Sequence, residues 1–200
     1  MMGLLRRAFM CGLRKFVLAT GILFACPLYA VEILEDTFNF DGKTYSFRYI
    51  AALDAPAETV HAVIADHEQL HRINDNIIES RIVKRYSNNR LRRFLRVDRC
   101  VLSFCFELHF VEDVEHIGKI VSATIIPEES TFTAGTSRWR ADVLSGNRTQ
   151  LTIKATQTLD LWVPPPLGKA LISKIFREEL IEMCEHIEQI SQASNNQGQQ

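Results

Sequence analysis

Between Ser80 and Trp162 the hydrophobic positions recur every second residue, which is typical of β-strands. Three stretches show the alternation most clearly, and their apolar sides consist of Phe106, Leu108 and Phe110, of Trp139 and Ala141, and of Leu151, Ile153 and Ala155. The residues between them are mostly charged or hydroxylated, so each strand has one apolar and one solvated face. This pattern predicts an antiparallel sheet that is covered on one side.

Helical periodicity flanks this β region on both sides. Before it, apolar residues from Val60 to Ile73 recur at helical spacing with an interruption near Asp66, which predicts two short helices. After it comes a long amphipathic helix, and its apolar stripe consists of Ile172, Phe176, Leu180, Met183, Ile187 and Ile190. An Asp41-Gly42 turn between two strand-like runs predicts that the chain opens with a strand or hairpin.

These elements predict an α+β fold in which a curved antiparallel sheet of about six to seven strands wraps around the long C-terminal helix. The two short helices follow the first strand or hairpin. One helix lying on a strongly curved sheet does not fill its concave face, so we expect a ligand-sized cavity between them.

The N-terminal segment has the pattern of a secretory signal peptide. Basic residues up to Lys15 precede an apolar run from Phe16 to Phe24, and small Ala30 suits cleavage. The run is about half the length that a membrane-spanning helix requires. We therefore predict a signal peptide over 1–30, cleaved after Ala30, and a periplasmic protein; a lipoprotein cleaved at Cys26 is the less favoured alternative.

The remaining chain has the length of one domain. We expect this domain over 31–190 and a disordered tail over 191–200, because the tail is rich in Gln, Asn and Ser. The chain has a formal net charge of −1, and loss of the basic signal peptide makes the rest more acidic. We therefore predict no nucleic-acid partner.

One motif carries a resemblance to a known family. The segment Asp54-Ala55-Pro56-Ala57-Glu58-Thr59-Val60, leading into 65–70, resembles the START-like/polyketide cyclase superfamily with its helix-grip fold, close to the coenzyme Q-binding START-type proteins. The resemblance covers roughly residues 45–190. It implies a bacterial origin and a cavity for a lipid, an isoprenoid, a quinone-like molecule or a polyketide.

The leading functional prediction is a non-catalytic carrier of a hydrophobic small molecule, without a cofactor. Strand parity and the helical stripe select the ligand-binding wall, which consists of Phe106, Leu108, Phe110, Trp139, Phe176, Leu180 and Met183. The alternative is a cyclase or dehydratase using the same cavity. That chemistry requires an inward acid or base, for which the pattern offers Arg93, Gln157 and Glu179.

A third possibility arises from His67-Glu68-Gln69-Leu70-His71, which matches the H-E-x-x-H motif of zinc hydrolases. The surrounding segment is unusually polar, and the sheet that follows provides no helix bearing a third ligand. We therefore predict a solvated bend with two exposed histidines and no metal.

Cys100 and Cys105 bracket a short apolar stretch. In an oxidising compartment we expect them to form a disulfide across a four-residue hairpin loop. Val101, Leu102 and Phe104 at this tip, together with Trp162, form a predicted rim of the cavity or a membrane contact. Cys184 lies on the apolar side of the last helix, where it is predicted to be a small buried hydrophobe.

A cluster of cations precedes the tip. It comprises Arg81, Lys84, Arg85, Arg90, Arg92, Arg93, Arg96 and Arg99, and Asp98 is the one acidic residue among them. Alternation alone predicts that many of them occupy the wet face of a strand. The functional alternative is transient contact with an anionic membrane surface.

Overall fold

The computed structural model describes residues 31–101, 103–160 and 169–197. They form one antiparallel sheet of eight strands in the order β1-β2-β8-β7-β6-β5-β4-β3. The strands are β1 (Glu32–Phe40), β2 (Thr44–Leu53), β3 (Ile77–Ser87), β4 (Arg90–Val101), β5 (Phe104–Ile117), β6 (Ile120–Ile125), β7 (Phe132–Val143) and β8 (Thr149–Leu159). The helix-grip α+β prediction is therefore confirmed, with one strand more than expected.

The additional strand comes from the opening hairpin, because both of its strands belong to the sheet. Gly42 has a φ of 101°, which favours glycine, and the Asp41 carboxylate accepts bonds from the backbone N–H groups of Lys43 and Thr44 at 3.1 and 2.7 Å. This turn places β2 between β1 and β8. β1 and β3 are consequently the two edge strands.

In the described ranges, two α-helices accompany the sheet. Helix α1 (Ala57–Ala65) follows Pro56 and carries Glu58 in its first turn, where an acidic side chain favours helix formation. The second short helix predicted from the sequence is only a 3-10 turn at Leu70–Arg72. Polar residues between His67 and Gln69 interrupt the apolar pattern, so a longer helix has no continuous face to bury.

Helix α2 (Lys169–Gln197) contacts α1, β1 and β2. Its stripe residues Leu180, Met183 and Ile187 are buried, and the predicted burial of Cys184 is confirmed. The helix continues beyond Ile190, whereas the sequence predicts a disordered tail from Ser191. Ser191 is fully buried, and the Gln192 side chain donates a 2.8 Å hydrogen bond to the Asp54 carbonyl, so this turn is attached to the domain.

Several predictions fall outside the described residues. The signal peptide over 1–30 and the alternative at Cys26 belong to this group, as do Leu102 and Trp162. Within the described ranges, no helix is long and apolar enough to cross a bilayer.

Candidate functional site

A cavity of about 290 Å³ lies between the concave face of the sheet and helix α2. Small-molecule sites commonly occupy about 300–1,000 Å³, so the volume of this cavity lies just below the lower limit of that range. All seven residues that parity and helical spacing selected line it: Phe106, Leu108, Phe110, Trp139, Phe176, Leu180 and Met183. Sequence periodicity therefore located the wall, although contact with a ligand stays a prediction.

Phe176 is the main aromatic contact between helix and sheet at this cavity. Its ring centroid lies 4.8 Å from that of Tyr45, 5.2 Å from that of Phe38 and 6.0 Å from that of Phe47. The three partners lie on β1 and β2. The opening hairpin thus supplies part of the aromatic packing around the cavity. The sequence prediction places the wall on β5, β7 and α2 alone.

A row of inward-facing residues crosses the sheet at one level, as the strand registers show. Tyr45 pairs with Gln157, Gln157 with Gly135, and Glu112 with both Ile125 and Arg93. At one end of this row the Tyr45 hydroxyl donates to the Gln157 side-chain oxygen, and burial raises the pKa of that hydroxyl. A Cβ on Gly135 would lie 2.9 Å from Gln157 Cγ, so the missing side chain makes room for the amide.

The other end of the row is a buried ion pair. Arg93 Nε and Nη2 each lie 2.8 Å from Glu112 Oε2, and both side chains line the cavity. Arg93 Nη1 also lies 3.1 Å from His67 Nδ1. An arginine is always a donor, so His67 Nδ1 accepts this bond and its Nε2 carries the proton in the neutral tautomer.

That tautomer extends the chain of hydrogen bonds toward the surface. His67 Nε2 lies 2.8 Å from His116 Nε2 on β5 and donates to it. The prediction that His67 is exposed is wrong, since only 3% of its surface is accessible. Burial, together with the positive charge of Arg93 and the neighbouring His116, holds the pKa of His67 far below its usual range.

The H-E-x-x-H histidines do not converge. His67 faces Arg93 and His116, whereas His71 lies in the 3-10 turn and is exposed. In the part of the chain that the structure describes, no group of three His, Cys, Asp or Glu side chains is arranged to hold a metal ion. A zinc hydrolase site requires both histidines on one face, which is not the arrangement here.

Glu179 links helix α2 to the segment before β3 and to β4, on one side of the cavity. Its Oε1 accepts hydrogen bonds from the side-chain amides of Asn74 at 2.8 Å and Asn76 at 3.2 Å, and its Oε2 lies 3.9 Å from Arg99. On the other side of the helix, Arg177 pairs with Asp36 of β1 at 2.6 Å. The helix is thus attached to the segments on both sides of the cavity.

The disulfide is present as expected. Cys100 and Cys105 are cross-strand partners with a Cα–Cα distance of 3.9 Å, and their Sγ atoms are bonded. Phe104, at the start of β5, is partly buried and is not among the described residues that line the cavity. The side chains of Val101 and Leu102 are outside the description, so the rim assignment stays a prediction.

The cation cluster divides between the two faces of the sheet. Arg93 and Arg99 line the cavity, whereas Arg81, Lys84, Arg85 and Arg90 are exposed. Residues from other segments neutralise part of the cluster. Asp113, for example, pairs with Arg92 at 2.8 Å, and the Arg92 guanidinium holds the pKa of that carboxyl below its usual range.

Five polar cavity residues were missed by the sequence prediction: Tyr45, Asn74, Arg99, Glu112 and Ser137. Parity could have found two of them, because Glu112 continues the series from Phe106 to Phe110 and Ser137 is two residues before Trp139. All three acid or base candidates from the sequence line the cavity, namely Arg93, Gln157 and Glu179.

Comparisons with known proteins place this geometry in a fold class. No family model matches the sequence, and no curated protein matches it. Solved structures do match: the Zhui aromatase/cyclase from Streptomyces sp. R1128 has a TM-score of 0.60 at 14% identity, covering 74% of this chain and 94% of its own. A START superfamily protein from Mycobacterium smegmatis has a TM-score of 0.57 at 20% identity, covering 74% and 97%.

A third similar structure is a STAR-related lipid transfer protein fragment from Xanthomonas axonopodis. Its TM-score is 0.58 at 14% identity, and the match covers 79% of this chain and 98% of the fragment. Identities this low show the fold alone. The chain therefore has the START-like helix-grip fold that is shared by lipid-transfer proteins and polyketide aromatase/cyclases.

Proposed function

We propose that this protein is an exported binding or transfer protein for a hydrophobic small molecule, held between the sheet and helix α2. The observation that carries the proposal is the cavity wall itself. Its predominantly aliphatic and aromatic side chains enclose about 290 Å³. Such a wall favours an apolar guest, because burial contributes roughly 25 cal/mol per Å² of apolar surface.

The polar row narrows the chemistry of that guest. Ser137, Gln157, Arg93 and Glu112 face the same cavity as the aromatic residues. A guest that is mainly apolar but has one oxygen-bearing end matches this division, since buried polar groups need hydrogen-bond partners. A lipid, an isoprenoid or a quinone-like molecule has this character, and the resemblance to coenzyme Q-binding START-type proteins supports the quinone in particular.

Export is the second part of the proposal. It is supported by the signal-peptide pattern over 1–30 and by the Cys100–Cys105 disulfide, since disulfides persist mainly in oxidising compartments. A chain of this kind would carry its ligand in the periplasm. The similar lipid-transfer fragment from Xanthomonas axonopodis is consistent with a carrier role.

A cyclase or dehydratase is the second candidate function. It is favoured by one observation, the buried Arg93–Glu112 pair on the cavity wall beside His67. A positioned cation can stabilise an enolate oxygen. The similar Zhui structure is described as an aromatase/cyclase, which supports the same alternative.

A cavity-filling pair of variants tests binding. Ala155 lines the cavity, whereas the next residue on β8, Thr156, is exposed. We expect Ala155→Leu to reduce binding of a long-chain ubiquinone by at least about tenfold, and Thr156→Leu to leave it unchanged. The measurement is quenching of intrinsic Trp fluorescence in delipidated protein, with native mass spectrometry of the loaded protein.

Two outcomes separate the alternatives. If a co-purified or added lipid is released from the protein without any chemical change to the lipid, the carrier role is supported. Conversion of a linear poly-β-keto substrate into a ring, lost in the double variant Arg93→Met/Glu112→Leu that removes both buried charges, would instead establish the enzyme. If neither a lipid nor a polyketide binds wild-type protein more tightly than Ala155→Leu, the cavity proposal is wrong.

A further inference from the structure

The edge strand β3 departs from regular pairing at three positions. Its register with β4 shifts between Ile77 and Glu79, between Ile82 and Lys84, and between Arg85 and Ser87. The residue skipped at each shift is a large hydrophobic one, and the three are Ile78, Val83 and Tyr86. A β-bulge leaves its extra residue outside the ladder and re-aims its side chain.

The bulges decide which side chains are buried. Ile77 and Ile82 both pack against the core, although their odd spacing would place them on opposite faces of a regular strand. The skipped residues are instead exposed, Ile78 by 49%, Val83 by 46% and Tyr86 by 42%. Three large apolar side chains therefore face solvent along one strand.

Exposed cations lie among these side chains. Arg81, Lys84 and Arg85 are on β3 itself, and Arg90 opens β4. The ammonium of Lys84 lies 5.1 Å from the centre of the Tyr86 ring, and the guanidinium carbon of Arg90 lies 5.4 Å from it. Arg81 pairs with Glu79 at 2.8 Å. Arg90 and Arg85 have more distant pairings, with Asp113 at 3.8 Å and with Glu68 at 3.9 Å. The edge thus combines apolar and positive groups, even though the chain as a whole has a net charge of −1.

This combination indicates what can bind there. An added β-strand, from a second copy or from a peptide, requires a continuous row of free backbone groups, which the three bulges interrupt. Two copies would also bring their own cations together. An anionic bilayer needs no strand register: its headgroups attract Lys and Arg at roughly 1 kcal/mol each, and its interface accepts Ile, Val and Tyr.

We propose that the β3 edge, defined by Ile78, Val83 and Tyr86 with Arg81, Lys84, Arg85 and Arg90, is a docking surface for anionic lipid membranes. Ile78 is adjacent to Ile77, which lines the ligand cavity. Docking through this edge would bring the cavity wall next to the lipid source. The inference goes beyond ligand binding, because the surface lies outside the cavity and its binding to membranes can be measured without a ligand.

Vesicle flotation tests this surface. Wild-type protein should float with vesicles of phosphatidylglycerol and phosphatidylcholine, should not float with pure phosphatidylcholine, and should be released at high salt. We expect Ile78→Ser/Val83→Ser/Tyr86→Ser and, separately, Lys84→Glu/Arg85→Glu to weaken vesicle binding by at least about tenfold. The matched control is Val143→Ser/Leu144→Ser, since these residues are exposed by 65% and 40% and lie at the end of β7 and in the turn that leads to β8, away from β3.

Circular dichroism and ubiquinone binding of each variant verify that the fold and the cavity are intact. Three results would overturn the proposal: no flotation of wild-type protein with anionic vesicles, equal flotation of the triple variant and the control, or self-association of wild-type protein abolished by the same substitutions. Failure of ubiquinone binding with normal flotation would count against the cavity proposal alone.

Discussion

Arg93 and Glu112 form a cross-strand ion pair that is almost completely buried, with accessible side-chain fractions of 8% and 3%. Two guanidinium nitrogens approach the same carboxylate oxygen at 2.8 Å. Removing one member of such a pair leaves an uncompensated charge in the interior. The pair therefore makes the cavity wall sensitive to single substitutions.

The first prediction concerns this pair. We expect Arg93→Met to lower the free energy of unfolding by about 3–5 kcal/mol, because Glu112 is left without its partner. The double variant Arg93→Met/Glu112→Leu should recover most of that loss, since both charges are gone. Urea unfolding measures the free energy of unfolding of the wild type, the single variant and the double variant. A double variant as unstable as the single one would show that the pairing is not the cause.

The second prediction concerns pH. Burial lowers the pKa of His67, and it lowers that of His116 as well. A lowered folded-state pKa means that the folded protein binds the proton more weakly than the unfolded chain, so stability is full above the unfolded value near 6.5 and falls below it. We expect His67 alone to account for a loss of about 2 kcal/mol between pH 7 and pH 5.

Two histidines of the same motif provide the comparison. His67→Gln should reduce the pH dependence of stability between pH 7 and pH 5, whereas His71→Gln should keep it, because His71 is exposed. Urea unfolding at several pH values is the measurement. Equal pH slopes for the two variants would contradict the burial of His67.

The third prediction concerns the disulfide. Cross-linking Cys100 and Cys105 closes a small loop, which contributes about 2 kcal/mol on the chain-entropy model. A reducing agent should lower the stability of the wild type by about that amount and should not affect Cys100→Ala/Cys105→Ala. Cys184→Ala should keep the response to reductant, since Cys184 is a free, buried thiol. A wild type that is insensitive to reductant would refute the assignment.

The fourth prediction concerns Gly135. An added Cβ would lie 2.6 Å from Ile125 Cγ1 and 2.9 Å from Gln157 Cγ, both closer than side-chain atoms pack. Gly135→Ala should therefore cost about 1–3 kcal/mol and displace the Gln157 amide from the Tyr45 hydroxyl. Ala134→Ser, at the preceding exposed position, is the control. Thermal unfolding compares the two, and equal midpoints would mean that the Gln157 side chain moves without cost.

Periodicity in the sequence was sufficient for the features that depend on neighbouring residues. Strand alternation placed Phe106, Leu108 and Phe110 on the cavity side, and the helical stripe placed Phe176, Leu180 and Met183 opposite them. The spacing of Cys100 and Cys105 predicted their pairing in the same way. These positions follow from the backbone geometry of one strand, one helix or one hairpin, which a local pattern records directly.

Long-range pairing decided the rest. His67 has the sequence context of a solvated bend, and it is buried because Arg93 arrives from β4 and His116 from β5. The polar row from Tyr45 to Arg93 forms only when the strands pair in the observed register. The bulges of β3 move side chains to the face opposite to the one that simple alternation predicts. Register between distant strands depends on the packing of the whole sheet, so no local pattern contains it.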